Sequence, residues 1–309
     1  MTSDGGRFPD HERDARRATG PIVEVISDLV NAATQTAEHS GHLPVGGSPA
    51  SHELEVERRR FAGKSAWVAP LRDTHWLGAL TLLAAGDHLR AFAALLAQEE
   101  APTYAHLVLT RAAMEACVIA AWLNDPVVDA DQRVKRGLVE RLYSARQQQR
   151  SRALRPDGQE LDAQLRTVAA SLRWTVTSGR TDADPVVAGV SRPNVASAIS
   201  QHLVGDRITY LGQVLWAYLS GVAHTAWYAL SQPISEAAPV DDSGTEPPLT
   251  AVATGPRSID LQAVCLIRLY LAAADNRMAL MGWHSAEWST ARRRAESLHD
   301  SLMRSLGST

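Results

Sequence analysis

The sequence predicts an all-α protein, a bundle of about eight to ten helices. Three observations carry that prediction. Apolar residues recur with a helical period through most of the chain. Proline, glycine and capping residues interrupt the pattern where helices would start and stop. Two-residue alternation, the mark of strands, surfaces only weakly, at 249–254.

The elements follow in order. Residues 1–20 are polar and charged and are expected to be a disordered tail. Pro21 suits a first helical turn, and "PIVEVISDLVNAATQTAEHSG" keeps its period to a stop at Gly41. "GHLPVGGSPAS" reads as a loop, and a short helix carries Glu53 to Arg60. A long helix is expected from near Thr74 through "LTLLAAGDHLRAFAALLAQ". Its interior Gly86 costs up to about 1 kcal/mol against alanine, which points to close packing or a bend. Thr103 can cap the next helix, whose body is "LTRAAMEACVIAAWLNDP" and whose end is Pro126. Asp129 to Leu154 reads as a charged amphipathic helix, and another runs from "RPDGQ" to about Thr175. Residues 177–193 read as a loop. A long apolar helix is expected from Asp206 through "GQVLWAYLSGVAHTAWYALSQ", followed by a long polar loop at 233–256. Two helices, starting at Ser258 and Ser285, close the chain. Residues 21–309 are therefore expected to form a single helical domain.

Composition narrows the class. A chain of 309 residues can bury a large core. Its net charge of −3 implies no global attraction to nucleic acid or anionic membrane. The basic residues are 29 Arg and 2 Lys, as expected of a GC-rich genome. Cys117 and Cys265 lie in apolar segments and are expected to be buried thiols in a reducing compartment. The N-terminus lacks the apolar core of a secretory signal, and no unbroken apolar run reaches the roughly 18–20 residues of a bilayer span. A cytoplasmic protein with no membrane partner is expected.

Familiar catalytic patterns are incomplete. "RRRFAGKSA" ends like a phosphate-binding loop, but Arg58 stands where its first glycine belongs. "HELEV" opens like a zinc-protease helix, but Val56 replaces the second histidine. Glu296 and His299 give one Glu-x-x-His, where a di-iron bundle needs two on separate helices. No metal and no cofactor are expected.

Attention falls instead on polar residues inside apolar helices. Arg111 and Glu115 are four apart and share a helix face. Alanines around them would let neighbouring helices approach, so a partly buried pair is expected. It can fix helix register, or it can face a ligand, with Arg111 holding an anion and Glu115 orienting it. His224, in "YLSGVAHTAWYAL", shares its face with Gly221, Trp227 and Tyr228, and reads either as a hydrogen-bonded core residue or as a ligand contact. Asp87 and Trp122 complete the candidate ligand-binding set. The basic segment "RVKRGLVERLYSARQQQRSRALR" could be a solvated face or could track phosphates, with Arg133, Arg136 and Arg141 as its nucleic-acid candidates.

The segments "AAGDHLRAF", "HLVLTRAAMEACVIAAWLNDP", "DQRVKRGLVERLYSA" and "YLSGVAHTAWYAL" resemble a family of uncharacterised all-helical actinobacterial proteins with an Arg-x-x-x-Glu helix and a late histidine helix. The resemblance covers roughly residues 74–230 and implies the fold class and a bacterial origin. A more distant similarity is to HEPN-type helical domains, some of which are metal-independent RNases with an Arg-x(4–6)-His motif. Arg277 with His284, and Arg292, Arg293 and Arg294 with His299, match that spacing; His224 has no arginine placed to do so.

Three functional expectations result. The first is an intracellular binding or interaction protein with a buried Arg/Glu polar site, self-associating as a homodimer. The second is a HEPN-like RNase or toxin-type enzyme acting on RNA. The third is an enzyme or sensor for a small hydrophobic anion, with tryptophans lining its pocket and Arg111 gripping the acid.

Overall fold

The structure, a computed structural model, describes residues 8–61, 67, 69–98, 104–150, 158–181, 183–203, 211–226 and 256–307. They form ten helices: α1 (Phe8–His39), α2 (Pro49–Arg60), α3 (Pro70–Leu96), α4 (Ala105–Leu123), α5 (Ala130–Arg150), α6 (Gly158–Ser171), α7 (Val195–His202), α8 (Leu211–Ala223), α9 (Pro256–Met281) and α10 (Ala286–Gly307). Three short strands, β1 (Val176–Ser178), β2 (Pro185–Val187) and β3 (Val190–Ser191), make one antiparallel sheet in the order β1-β2-β3. The expected all-α, multi-helix bundle is what the chain forms.

Helices α3, α4 and α9 pack on one another at the centre. Helix α1 lies against α3 and α10, while α7 and α8 cover α4. Their apolar faces make one large core containing Ile26, Leu29, Leu89, Phe92, Met114 and Leu266. A second, smaller core forms where α5 meets α6 and the sheet, around Leu71, Leu138, Leu142 and Val187.

Several elements differ from the sequence expectations, among them the unforeseen α7. Helix α1 begins at Phe8, inside the segment expected to be a tail, and Pro21 lies within it on an exposed face. Helix α3 begins at Pro70 rather than Thr74, because the Glu57 carboxylate of α2 accepts from the amides of Leu71 (2.6 Å) and Arg72 (3.2 Å). A carboxylate at a helix N-terminus satisfies orphan donors and complements the helix dipole. The stretch 177–193, expected to be loop, holds most of the sheet. Ala188 (φ 47) and Gly189 (φ 83) form the two-residue turn between β2 and β3, and positive φ at both positions suits such a hairpin. Helix α8 stops at Ala223, where Thr225 turns the chain left-handed with φ 55. The expected loop at 233–256 and the weak alternation at 249–254 lie outside the described residues, except that Pro256 starts α9.

The expectation that no segment could span a bilayer also needs correction. Over a window that admits isolated polar residues, α3 and α4 are each long and apolar enough, by length and composition, to cross a membrane. Both pack within the bundle here.

Candidate functional site

The densest buried polar cluster among the described residues centres on Glu53 of the incomplete zinc motif. Glu53 faces inward from α2 and is 6% exposed. Arg133 of α5, with no exposed surface, donates from Nε to both Glu53 oxygens at 2.8 Å. Its other two nitrogens donate to the Leu123 carbonyl (2.7 Å) and the Asp125 carbonyl (2.8 Å), closing the end of α4. His75 of α3 places Nε2 2.6 Å from the second Glu53 oxygen. Arg277 of α9 donates to the His75 carbonyl (3.0 Å) and to Asn124 Oδ1 (3.2 Å). Asn124 in turn donates to the carbonyls of Gly78 (3.1 Å) and Ala120 (2.8 Å). A Cβ on Gly78 would lie 2.6 Å from Asn124 Oδ1, so glycine is what admits the amide.

The charges do not cancel. Arg133 and Glu53 offset one another. Burial lowers the His75 pKa, and Arg133 and Arg277 add to that against the opposing pull of Glu53, so its imidazole is held neutral. Arg277 remains. Burial, then Arg133, lowers its pKa to about 10, and it stays cationic at neutral pH. Among the described residues no carboxylate pairs with it; its guanidinium lies 5.2 Å from the Trp283 ring centre. Because His75 binds its proton less readily when folded, its contribution to stability is present above the ordinary value of 6.5 and is lost as pH falls below that value. The urea midpoint is therefore expected to drop more between pH 7.5 and pH 5.5 in the native protein than in His75→Gln. Equal drops would remove His75 from that account.

Beside Arg277 opens a pocket of about 130 Å³ between α1, α3 and α9. Ala33, Ala79, Leu83, Met278 and Trp283 give it apolar walls, and Arg277 and Tyr270 give it polar ones. Gly86 makes this geometry possible: a Cβ there would meet Val30 Cγ1 at 3.0 Å and Tyr270 Oη at 3.4 Å. The close packing expected at Gly86 is thus present, on the pocket wall. Trp283 is held by its indole N–H, which donates to the Leu43 carbonyl at 2.7 Å. Trp76, Leu80 and Leu83 leave an exposed apolar strip on α3 along the same pocket.

The residues singled out from sequence are distributed differently. Glu115 pairs with Arg192 (3.2 Å) rather than with Arg111, and Arg192 also binds Glu140 at 2.8 Å and stacks on Tyr143 at 4.1 Å. Arg111 is half-buried, donates to Ser220 Oγ at 3.2 Å and lies 4.9 Å from the Trp216 ring centre. Four residues apart on a helix does not make a pair when each side chain finds a better partner on a neighbouring element. Asp87 is exposed and bonded to Arg90 at 2.7 Å. His224 is also exposed, because α8 ends before it. Trp122 is half-buried beneath the Arg136 guanidinium, 5.4 Å away.

The three arginines of the basic segment singled out as nucleic-acid candidates are each engaged within the chain. Arg133 is fully buried and Arg136 is held by Asp125 (3.2 Å) and the Trp122 carbonyl. Arg141 reaches Asp73 at 3.3 Å and lies over Trp67 at 4.8 Å. Of the Arg-x(4–6)-His matches, Arg277 is buried while His284 is exposed, and His299 is buried while Arg292, Arg293 and Arg294 are exposed. Cys117 and Cys265 are both buried thiols.

Sequence reasoning missed His75, Asn124 and the pocket role of Arg277. A signal existed for Arg277: an arginine inside "LAAADNRMALM" poses the same question as Arg111 inside "LTRAAMEAC". Comparison with protein-family models, with curated proteins and with solved structures finds no match for this chain.

Proposed function

We propose that this protein binds a small, mainly apolar ligand in the pocket between α1, α3 and α9. The observation that carries the reading is the pocket itself: apolar walls, a few fixed polar groups, and a floor anchored to the buried polar cluster. That is the usual make-up of a small-molecule site. The size suits a compact occupant, since an apolar cavity of about 150 Å³ accommodates benzene.

The reading is tested by thermal unfolding with benzyl alcohol. A ligand at about ten times its Kd adds about 1.4 kcal/mol of stability. The native protein is expected to gain Tm in proportion. Ala79→Leu, which fills the pocket from α3, is expected to gain almost none. Equal gains in both proteins, or none in either, would overturn the proposal.

A further inference from the structure

Resting on that reading, we propose that the pocket selects an amphipathic monoanion, a small carboxylate with an apolar body, whose charged head pairs with Arg277. Arg277 lines the pocket and is 4% exposed, yet no carboxylate among the described residues pairs with it. The carboxylate nearest in the hydrogen-bond chain, Glu53, is committed to Arg133 and His75. An ion held out of water without a counter-ion is costly. The Trp283 ring, 5.2 Å away, offsets only part of that.

The guanidinium is also fixed in direction. The His75 carbonyl and Asn124 Oδ1 both hold NH1, and no described acceptor takes the protons of the other two nitrogens. A preorganised fork of this kind suits a carboxylate, which accepts two parallel bonds. The second cation at the pocket, Arg90, is already paired with Asp87. One uncompensated charge therefore matches one negative charge on the ligand. The apolar walls and the volume of about 130 Å³ set the body to a ring or short chain.

The experiment is calorimetric titration of the full chain at pH 7.5 with hexanoate, hexan-1-ol and hexylammonium, which share a body and differ in head group. Hexanoate is expected to bind about tenfold more tightly than hexanol, and hexylammonium more weakly than either. Arg277→Met is expected to erase the advantage of hexanoate over hexanol, read as the ratio of the two affinities in the same variant; Arg277→Lys is expected to keep part of it. Ala79→Leu is expected to weaken both. If native protein takes hexanol as tightly as hexanoate, the anion is overturned and the pocket reading stands. If none of the three binds, both fall. Undiminished hexanoate binding by Ala79→Leu would put the acid elsewhere and overturn the proposal. Should Arg277→Met fail to fold, the native three-ligand series and Ala79→Leu decide the matter.

Discussion

Arg133→Met is expected to lower the unfolding free energy by about 3–5 kcal/mol. The loss has two separable sources. Glu53 becomes a buried carboxylate without its cation, and the carbonyls of Leu123 and Asp125 lose their donors. Adding Glu53→Leu removes the stranded charge but not the orphaned carbonyls, each of which costs about 1–3 kcal/mol when buried. The double variant is therefore expected to regain part of the stability and to stay below the native protein. Urea denaturation of the four proteins in the cycle gives both terms. A loss under about 1 kcal/mol for Arg133→Met would mean that water reaches Glu53 and that the buried ion pair is not what holds α2 and α5 together.

Gly137→Ala is expected to destabilise the fold less, and for a different reason. A Cβ at this position of α5 would sit 2.1 Å from Thr74 Oγ1, 2.9 Å from its Cγ2 and 3.0 Å from its Cβ. Thr74 cannot swing clear without giving up its bond to the Pro70 carbonyl at 2.7 Å, in the first turn of α3. The better helix propensity of alanine, worth up to about 1 kcal/mol, works in the opposite direction. Overpacking costs about 1–3 kcal/mol, and the helices must also separate where the two cores meet. A net loss of about 2 kcal/mol is expected by the same denaturation assay. Thr74→Ala in the same chain removes the two closest atoms and is expected to recover most of it. A neutral Gly137→Ala would show that α3 and α5 are not in the tight contact described.

The helices were legible because helical periodicity survives over long windows, as in α3 and α4. The sheet was not, because its strands are two or three residues long and no alternation can accumulate over so few positions; its one local signal was the glycine turn in "VVAGVS". Partner choice was the harder problem. Arg111 and Glu115 were visible as polar residues in an apolar helix, yet Glu115 is claimed by Arg192, seventy-seven residues away. Glu53 attracted notice only as part of a failed metal motif, and His75 drew none, because their meeting depends on how α2, α3 and α5 pack. His224 was placed on a core face by extending the period of α8 past Ala223, where nothing in the local composition marks the left-handed turn at Thr225.

The Glu53–Arg133 contact lies where the two apolar cores adjoin. One core gathers α1, α3, α4, α9 and α10, and the other gathers α5, α6 and the sheet. Burial of apolar surface is itself non-directional, so close packing, as at Gly137 and Thr74, and directional bonds together set how the two masses meet. A guanidinium with its acceptors fixed on α2 and at the end of α4 permits one alignment only. Directional bonding thereby adds a fixed alignment to the contact between the two halves.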